Sequence, residues 1–154
     1  MSLQERLFED MKEALKAREA GKLRLSVIRL ARAALKNRAI ELGRELTDQD
    51  VIEVLAREVK QRREAILEYN RVGRSEVAAE LEAEIAVLQE YLPQQLSREE
   101  ITAEAQEVIA STGAKGTRDL GRVMGALMPR MKGRADGKVV QEIVRTLLSE
   151  AEGK

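Results

Sequence analysis

Apolar residues recur every three or four positions along most of the chain, which is the spacing of amphipathic α-helices. Leu3, Leu7 and Met11 begin the first such stripe, and similar stripes follow one another up to Leu148. No segment shows the alternation of apolar and polar residues that is typical of a half-buried strand. The pattern therefore predicts an all-α, multihelical fold.

Capping and stop residues divide the pattern into seven predicted helices. Ser2-x-x-Glu5 and Ser97-x-x-Glu100 match the capping box, in which two side chains satisfy backbone N–H groups at a helix start. Glycines can end helices in the left-handed conformation. The predicted helices run from Ser2 to Gly21, from Lys22 to Gly43, from Thr47 as cap to Gly73, from Ser75 as cap to about Tyr91, from Ser97 to Gly113, over 118–127 with Thr117 as cap, and from about Gly137 to Leu148 with Asp136 as cap.

A domain boundary is predicted just after Leu92. Pro93 cannot donate the next helical hydrogen bond, and the short polar segment that follows leads into the capping box at Ser97. We expect an N-terminal helical lobe over 1–92 and a smaller C-terminal helical lobe over 96–150.

Composition excludes several chemistries. The chain of 154 residues contains no His and no Cys, so it has no imidazole proton shuttle, no Ser-His or Cys-His nucleophile pair and no thiolate or imidazole ligand for zinc or haem. Any metal would need carboxylate oxygens alone. The carboxylates lie on predicted helix surfaces beside Lys or Arg. We therefore predict no catalytic residue, no metal site and no cofactor.

Apolar runs are far shorter than the roughly 20 residues needed to cross a bilayer, and the first residues lack the pattern of a signal peptide. The sequence thus predicts a cytoplasmic protein without a membrane partner.

Charge is balanced overall, with 27 Lys and Arg residues against 27 Asp and Glu residues, but it is segregated along the chain. Nine basic and two acidic residues lie between Lys12 and Arg38, whereas nine acidic residues and one basic residue lie between Glu76 and Glu107. Seven basic and two acidic residues follow from Lys115 to Lys138. Two basic segments therefore flank an acidic one.

The segment from Gly113 to Lys138 is rich in glycine and basic residues and contains two predicted helix starts. Helix N-termini with neighbouring cations suit a phosphate, so this segment contains two candidate anion-binding turns. The alternative is that its glycines simply end helices while Thr117 and Asp136 cap them. Asp136 would itself repel a phosphate.

Gly121 and Gly125 lie inside the sixth predicted helix, where each costs roughly 1 kcal/mol relative to Ala. Close approach of another helix is the commoner explanation, and close approach of a nucleic-acid backbone is the rarer one. Three methionines at 124, 128 and 131 fit either an adaptable contact surface or, more commonly, core packing.

In the N-terminal basic segment, Arg29, Arg32 and Lys36 share one predicted helix face. That face is either a solvated surface or a ridge for phosphates or for an acidic protein surface. The chain has only three aromatic residues, so interleaved aromatics for base stacking are absent.

Several motifs together resemble the GatB/YqeY domain and the stand-alone YqeY family. The resemblance covers the chain from Leu3 to about Leu148. It is carried by Asp10-Met-Lys, Arg24-Leu-Ser-Val-Ile-Arg29, Ala33-Ala-Leu-Lys36, Arg57-Glu-Val-Lys-Gln-Arg-Arg63, Leu88-Gln-Glu-Tyr-Leu-Pro93, Gly121-Arg-Val-Met-Gly-Ala-Leu-Met128 and Lys132-Gly-Arg-Ala-Asp-Gly-Lys138.

The resemblance implies an all-helical protein whose C-terminal lobe is similar to the tRNA-binding tail of the B subunit of glutamine-dependent aspartyl/glutamyl-tRNA amidotransferase. It thus implies a non-catalytic module that binds tRNA or another structured RNA. By position, the residues implied for phosphate contact are first Lys132, Arg134 and Lys138, with Gly133 shaping the turn, and then Lys115, Arg118 and Arg122.

Two other classes of function stay open. The family resemblance also allows a carbon-nitrogen ligase, an amidotransferase with glutamine as amido-N donor, or an accessory factor of one. The charged segments also allow a protein-interaction adaptor that engages aminoacyl-tRNA or amidotransferase proteins.

Overall fold

The computed structural model describes residues 1–153. Within this range the chain forms seven α-helices and two short 3-10 turns, without any strand, which confirms the all-α prediction. The helices are α1 (Leu3–Lys16), α2 (Lys22–Leu42), α3 (Asp48–Arg71), α4 (Ser75–Gln89), α5 (Arg98–Thr112), α6 (Leu120–Met131) and α7 (Gly137–Glu152), and the turns are Arg18–Gly21 and Thr117–Asp119. Among the described residues, no helix combines the length and the apolar character needed to cross a membrane.

Complete capping boxes start α3 and α5. Thr47 and Asp50 bond each other's backbone N–H groups, as do Ser97 and Glu100. The guanidinium of Arg44 and the N–H of Thr47 also hold the pKa of Asp50 well below its usual range. The predicted start of α5 and the predicted cap of α3 are thus confirmed.

Left-handed glycines follow three of the helices, as predicted. Gly43, Gly73 and Gly113 have φ angles of 68°, 78° and 69°. An L-residue with a side chain adopts this conformation only at a cost, so these positions favour glycine. The glycines stop α2, α3 and α5 within two residues of their ends.

Several predicted helix ends differ in the structure. Ser75 is the first residue of α4 rather than its cap, because Arg74 occupies the cap position without a side-chain hydrogen bond. Thr117 does not cap α6, since it begins a 3-10 turn. The first helix ends at Lys16 and gives way to the other 3-10 turn, whereas α6 continues through Pro129 to Met131.

The helices form two compact units, Met1–Leu92 and the residues from Pro93 onward. In the N-terminal unit, the long helices α3 and α4 pair as a hairpin, and α1 and α2 pack together beside them. Their apolar stripes meet in an aliphatic core, which includes Leu7, Val27, Ile28, Leu35, Val51, Leu55, Ile85 and Leu88.

In the C-terminal unit, α5, α6 and α7 each pack against the other two helices. Met131 is fully buried and Met124 and Met128 pack against the same core, which confirms the interpretation of the methionines as core residues. The remaining core side chains are aliphatic and include Ile101, Val108, Val123, Leu127, Val140, Val144 and Leu148.

A polar network around Tyr91 ties the end of α4 to α1 and α2. The Tyr91 side chain is only 3% exposed, its hydroxyl donates to the carboxylate of Asp10, and Arg24 donates to the same hydroxyl over 3.4 Å. The guanidinium of Arg6 lies 4.6 Å from the ring centroid of Tyr91 and donates to the carbonyl of Glu90. Burial, together with the bond to Asp10, raises the pKa of the Tyr91 hydroxyl above its ordinary value of 10.0.

Replacing Tyr91 by Phe removes the hydroxyl and leaves Asp10 without this donor, so we expect a loss of about 1–2 kcal/mol in the free energy of unfolding near neutral pH. The raised pKa means that the folded state holds the Tyr91 proton more tightly than the unfolded state. The contribution of the protonated Tyr91 hydroxyl to the free energy of unfolding is therefore complete below pH 10 and is lost as the pH rises further. Urea unfolding from pH 7 to 11 measures the free energy of unfolding of wild type and of Tyr91→Phe. The difference between the two should narrow above pH 10, and a difference that stays constant would contradict this prediction.

Gly21 allows the close contact between the first 3-10 turn and α1. It is buried, and a Cβ placed on it would lie 2.8 Å from the carbonyl carbon and 2.9 Å from the Cα of Ala14. Such a contact involves backbone atoms that cannot rotate away.

We expect Gly21→Ala to destabilise the protein by about 1–3 kcal/mol, because the turn and α1 must move apart. Urea unfolding measures this change. Gly153→Ala is the control, since its new Cβ would meet only ordinary contacts of 3.5 Å or more. An unchanged urea midpoint for Gly21→Ala would show that the contact relaxes at no cost.

Candidate nucleic-acid interface

The backbone N–H groups of the turn before α6 donate to carboxylates of the chain itself. Both the N–H and the hydroxyl of Thr117 donate to Glu152, over 2.7 and 3.0 Å. The N–H of Lys115 donates to Asp119 over 2.9 Å, and this bond is the main cause that lowers the pKa of Asp119. These backbone donors are thus occupied by carboxylates of the same unit. Contact with a phosphate would fall to the side chains of Lys115, Arg118 and Arg122, all of which are exposed.

The turn between α6 and α7 is held by hydrogen bonds to its backbone carbonyls. Gly133 has a φ of 75°, its carbonyl accepts from the side chain of Gln95, and the carbonyl of Arg134 accepts from the N–H of Leu96, each over 2.8 Å. Asp136 caps α7 by accepting from the N–H of Lys138 over 2.9 Å, which confirms its predicted role. The helix terminus is therefore occupied by a carboxylate.

The side chains of this second turn differ in their exposure. Lys132 and Lys138 are exposed, whereas Arg134 is half-buried. Lys132 and Lys138 are therefore better placed than Arg134 to reach an external phosphate.

The structure does not bring the two sets of candidate cations into one patch. Lys115, Arg118 and Arg122 lie around the start of α6, and Lys132, Arg134 and Lys138 lie beyond its other end. A helix of 12 residues separates the two sets by about 18 Å. Any partner that contacts both sets must extend along α6.

The outward face of α6 lies between these two sets and carries little side-chain bulk. It presents Gly121, Arg122, Gly125, Ala126 and Pro129, all exposed, opposite the buried stripe of the helix. A Cβ on Gly121 or Gly125 would meet nothing within 4 Å. The expected explanation for these glycines, close approach of another helix, is therefore wrong for the part of the chain that the structure describes.

Pro129 leaves one backbone carbonyl of α6 without its usual helical donor. Proline has no N–H, so the carbonyl of Gly125 lacks the donor that position 129 would otherwise supply. Gly125 itself is exposed.

Ion pairs modulate the charge at this face. Arg122 lies 3.4 Å from Asp119 in an exposed pair, which contributes little to stability. Arg130 turns towards α5, with its Nη2 3.4 Å from Glu104 and 3.3 Å from Glu107. Arg122 is thus the cation that projects from the outward face itself.

Sequence reasoning missed three contributors to this region. Glu152 and Gln95 act through contacts with residues 35 and 38 positions away, and no local pattern indicates such contacts. Pro129 was a usable signal, because a proline inside an amphipathic stripe marks a carbonyl without its donor. Within residues 1–153 no group of three or more acidic side chains is placed to hold a metal ion.

The fold and this region define a small all-α protein whose C-terminal unit contains a basic, glycine-rich segment over 113–138. The family model described as Yqey-like protein matches residues 4–148, and the chain belongs to this family. A comparison with curated proteins gives no match.

Replacing Gly125 by Ala should stabilise the protein by about 1 kcal/mol, because Ala is the better helix former and the new methyl meets no neighbour. Gly121→Ala should stabilise it by less, because Gly121 lies in the first turn of α6. Urea unfolding of each variant tests this. Gly43→Ala is the control of opposite sign, since its φ of 68° strains a residue with a side chain. A loss of stability in Gly121→Ala or Gly125→Ala would reveal an intramolecular contact at that glycine.

Proposed function

We propose that this protein is a non-catalytic RNA-binding module for tRNA or another structured RNA, which lies along the outward face of α6. The observation that carries the proposal is a pair of exposed glycines in α6, Gly121 in its first turn and Gly125 in its interior, where an added Cβ would meet no neighbour within 4 Å in the described residues. A backbone that approaches closely from outside would use the space that they leave.

The polar groups on and around this face suit a sugar-phosphate backbone. The carbonyl of Gly125, which lacks a helical donor at Pro129, would accept a hydrogen bond from a ribose 2′-hydroxyl, the group that distinguishes RNA from DNA. Arg122 can contact a phosphate beside it.

The cations at the two ends of α6 extend the proposed contact. The roughly 18 Å between them is long enough to span several phosphates of an RNA strand. Lys115 and Arg118 would then contact one part of the backbone while Lys132 and Lys138 contact another. The resemblance of the segment 121–138 to a tRNA-binding tail supports the same assignment.

Two matched charge reversals test the proposal. Arg122→Glu and Arg98→Glu each remove one arginine from an exposed ion pair, with side chains 56% and 59% exposed, but only Arg122 lies on the outward face of α6. We expect Arg122→Glu to weaken binding of total tRNA and Arg98→Glu to leave it nearly unchanged. Fluorescence anisotropy over a series of salt concentrations measures both the affinity and the number of phosphates that the protein neutralises.

A triple variant with Lys132→Glu, Arg134→Glu and Lys138→Glu tests the other end of the face. Each phosphate that the variant no longer neutralises should flatten the slope of log K against log salt by roughly 0.7–0.9. Unchanged affinity and slope in both the triple variant and Arg122→Glu would overturn the proposal.

The glycine variants provide an independent readout. Gly125→Ala should weaken tRNA binding even though the protein itself becomes more stable, because its methyl enters the space proposed for the RNA backbone. Opposite signs for stability and affinity separate a contact site from a general loss of structure. If tRNA binds Gly125→Ala as tightly as wild type, the RNA does not approach this glycine.

A further inference from the structure

A groove of about 560 Å³ lies between α1 and α2 in the N-terminal unit. Three basic residues of α2 line it, and no carboxylate is among its lining residues. The basic residues are Arg29, Arg32 and Lys36, and the other lining residues are Gln4, Leu7, Ala33, Leu35 and Ala39. The helix face predicted to be basic is therefore one wall of a concave site.

The charges on this wall are largely uncompensated. The side chains of Arg29 and Lys36 form no ion pair or hydrogen bond within the described residues. Arg32 lies 3.1 Å from the sulfur of Met11 and 5.0 Å from the ring centroid of Phe8, neither of which neutralises it. The first and last of the three cations, Arg29 and Lys36, are seven positions apart, which is about 10 Å along the helix axis. An occupant should carry negative charge at a similar spacing.

The floor of the groove is aliphatic. Leu7 and Leu35 lie beneath it with 1% and 3% of their surface exposed, and the short side chains of Ala33 and Ala39 leave the space open. An occupant that fits both the floor and the rim needs an apolar side chain next to its acidic groups.

A protein helix meets this requirement better than RNA does. Single-stranded RNA binds through bases stacked on aromatic rings as well as through phosphates. Phe8 is the aromatic residue beside the groove, and Lys12 and Arg32 already lie 4.9 and 5.0 Å from its ring centroid. The groove therefore offers cations and aliphatic surface without an open stacking platform.

We propose that the groove docks an acidic amphipathic helix of a partner protein. One leucine-sized side chain of that helix sits between Ala33 and Ala39, and carboxylates on its flanks reach Arg29, Arg32 and Lys36. Both helices repeat every 5.4 Å, so carboxylates three or four residues apart match the spacing of the cations. The RNA interface proposed above lies in the other unit, and this proposal does not depend on it.

The test uses the full chain and a fluorescein-labelled helical peptide with leucines at positions i, i+3 and i+7 and glutamates at the flanking positions. Anisotropy should detect saturable binding to wild type. The double variant Arg29→Glu with Lys36→Glu should weaken it by about tenfold, since two exposed ion pairs become repulsive.

The matched control is Arg57→Glu with Arg63→Glu. These arginines are also exposed and belong to the same unit, but they lie on α3 and do not line the groove. Their reversal changes the net charge equally and should leave the affinity for the peptide nearly unchanged. Ala33→Leu, which fills the groove without changing charge, should weaken binding as well.

Two control peptides separate the chemistries, one with glutamine for every glutamate and one with serine for every leucine. Both should bind poorly if charge and apolar contact act together. Equal loss of binding in the two double variants would overturn the proposal, and so would undiminished binding of the serine peptide. Either result would mean that the groove binds polyanions nonspecifically. Loss of total tRNA binding in Arg29→Glu with Lys36→Glu, without any binding of the acidic peptide, would also overturn it and assign the groove to RNA.

Discussion

The architecture depends on oxygen atoms of the chain that satisfy the N–H groups left open at helix starts. Many of these oxygens are carboxylate oxygens that accept backbone hydrogen bonds, and they belong to Asp50, Glu100, Asp136 and Glu152. Because these acids hold the backbone donors, an external anion finds the starts of α5 and α7 and the turn before α6 already occupied. Contact with such an anion depends instead on Lys and Arg side chains, and so on the faces from which they project.

Two surfaces combine such cations with missing side-chain bulk, and they differ in what lies between the charges. On α6 the space comes from glycines and exposes a polar backbone, which suits a sugar-phosphate chain. Between α1 and α2 the space comes from alanines above buried leucines, which suits an apolar side chain. An overall charge of zero therefore conceals two basic surfaces of unlike chemistry, one in each unit.

Sequence periodicity predicted the helices well because burial of an apolar stripe is a local property of each segment. Left-handed glycines and the capping boxes of α3 and α5 are equally local. The prediction failed at Thr117, whose partner Glu152 is 35 residues away. The bond between Tyr91 and Asp10, 81 residues apart, and the groove beside Arg32 could not be derived either, because both depend on which helix faces meet.

The composition of α6 has a further consequence for the dynamics of the C-terminal unit. Two glycines and a proline within 12 residues make this segment a poor helix former in isolation, with Gly about 1 and Pro about 3 kcal/mol less favourable than Ala in a helix interior. Its helical state therefore relies on burial of Val123, Leu127 and Met131 against α5 and α7. Among the three helices of its unit, α6 is the one whose amides should exchange with solvent most readily through local opening, and a partner lying along it would slow that exchange.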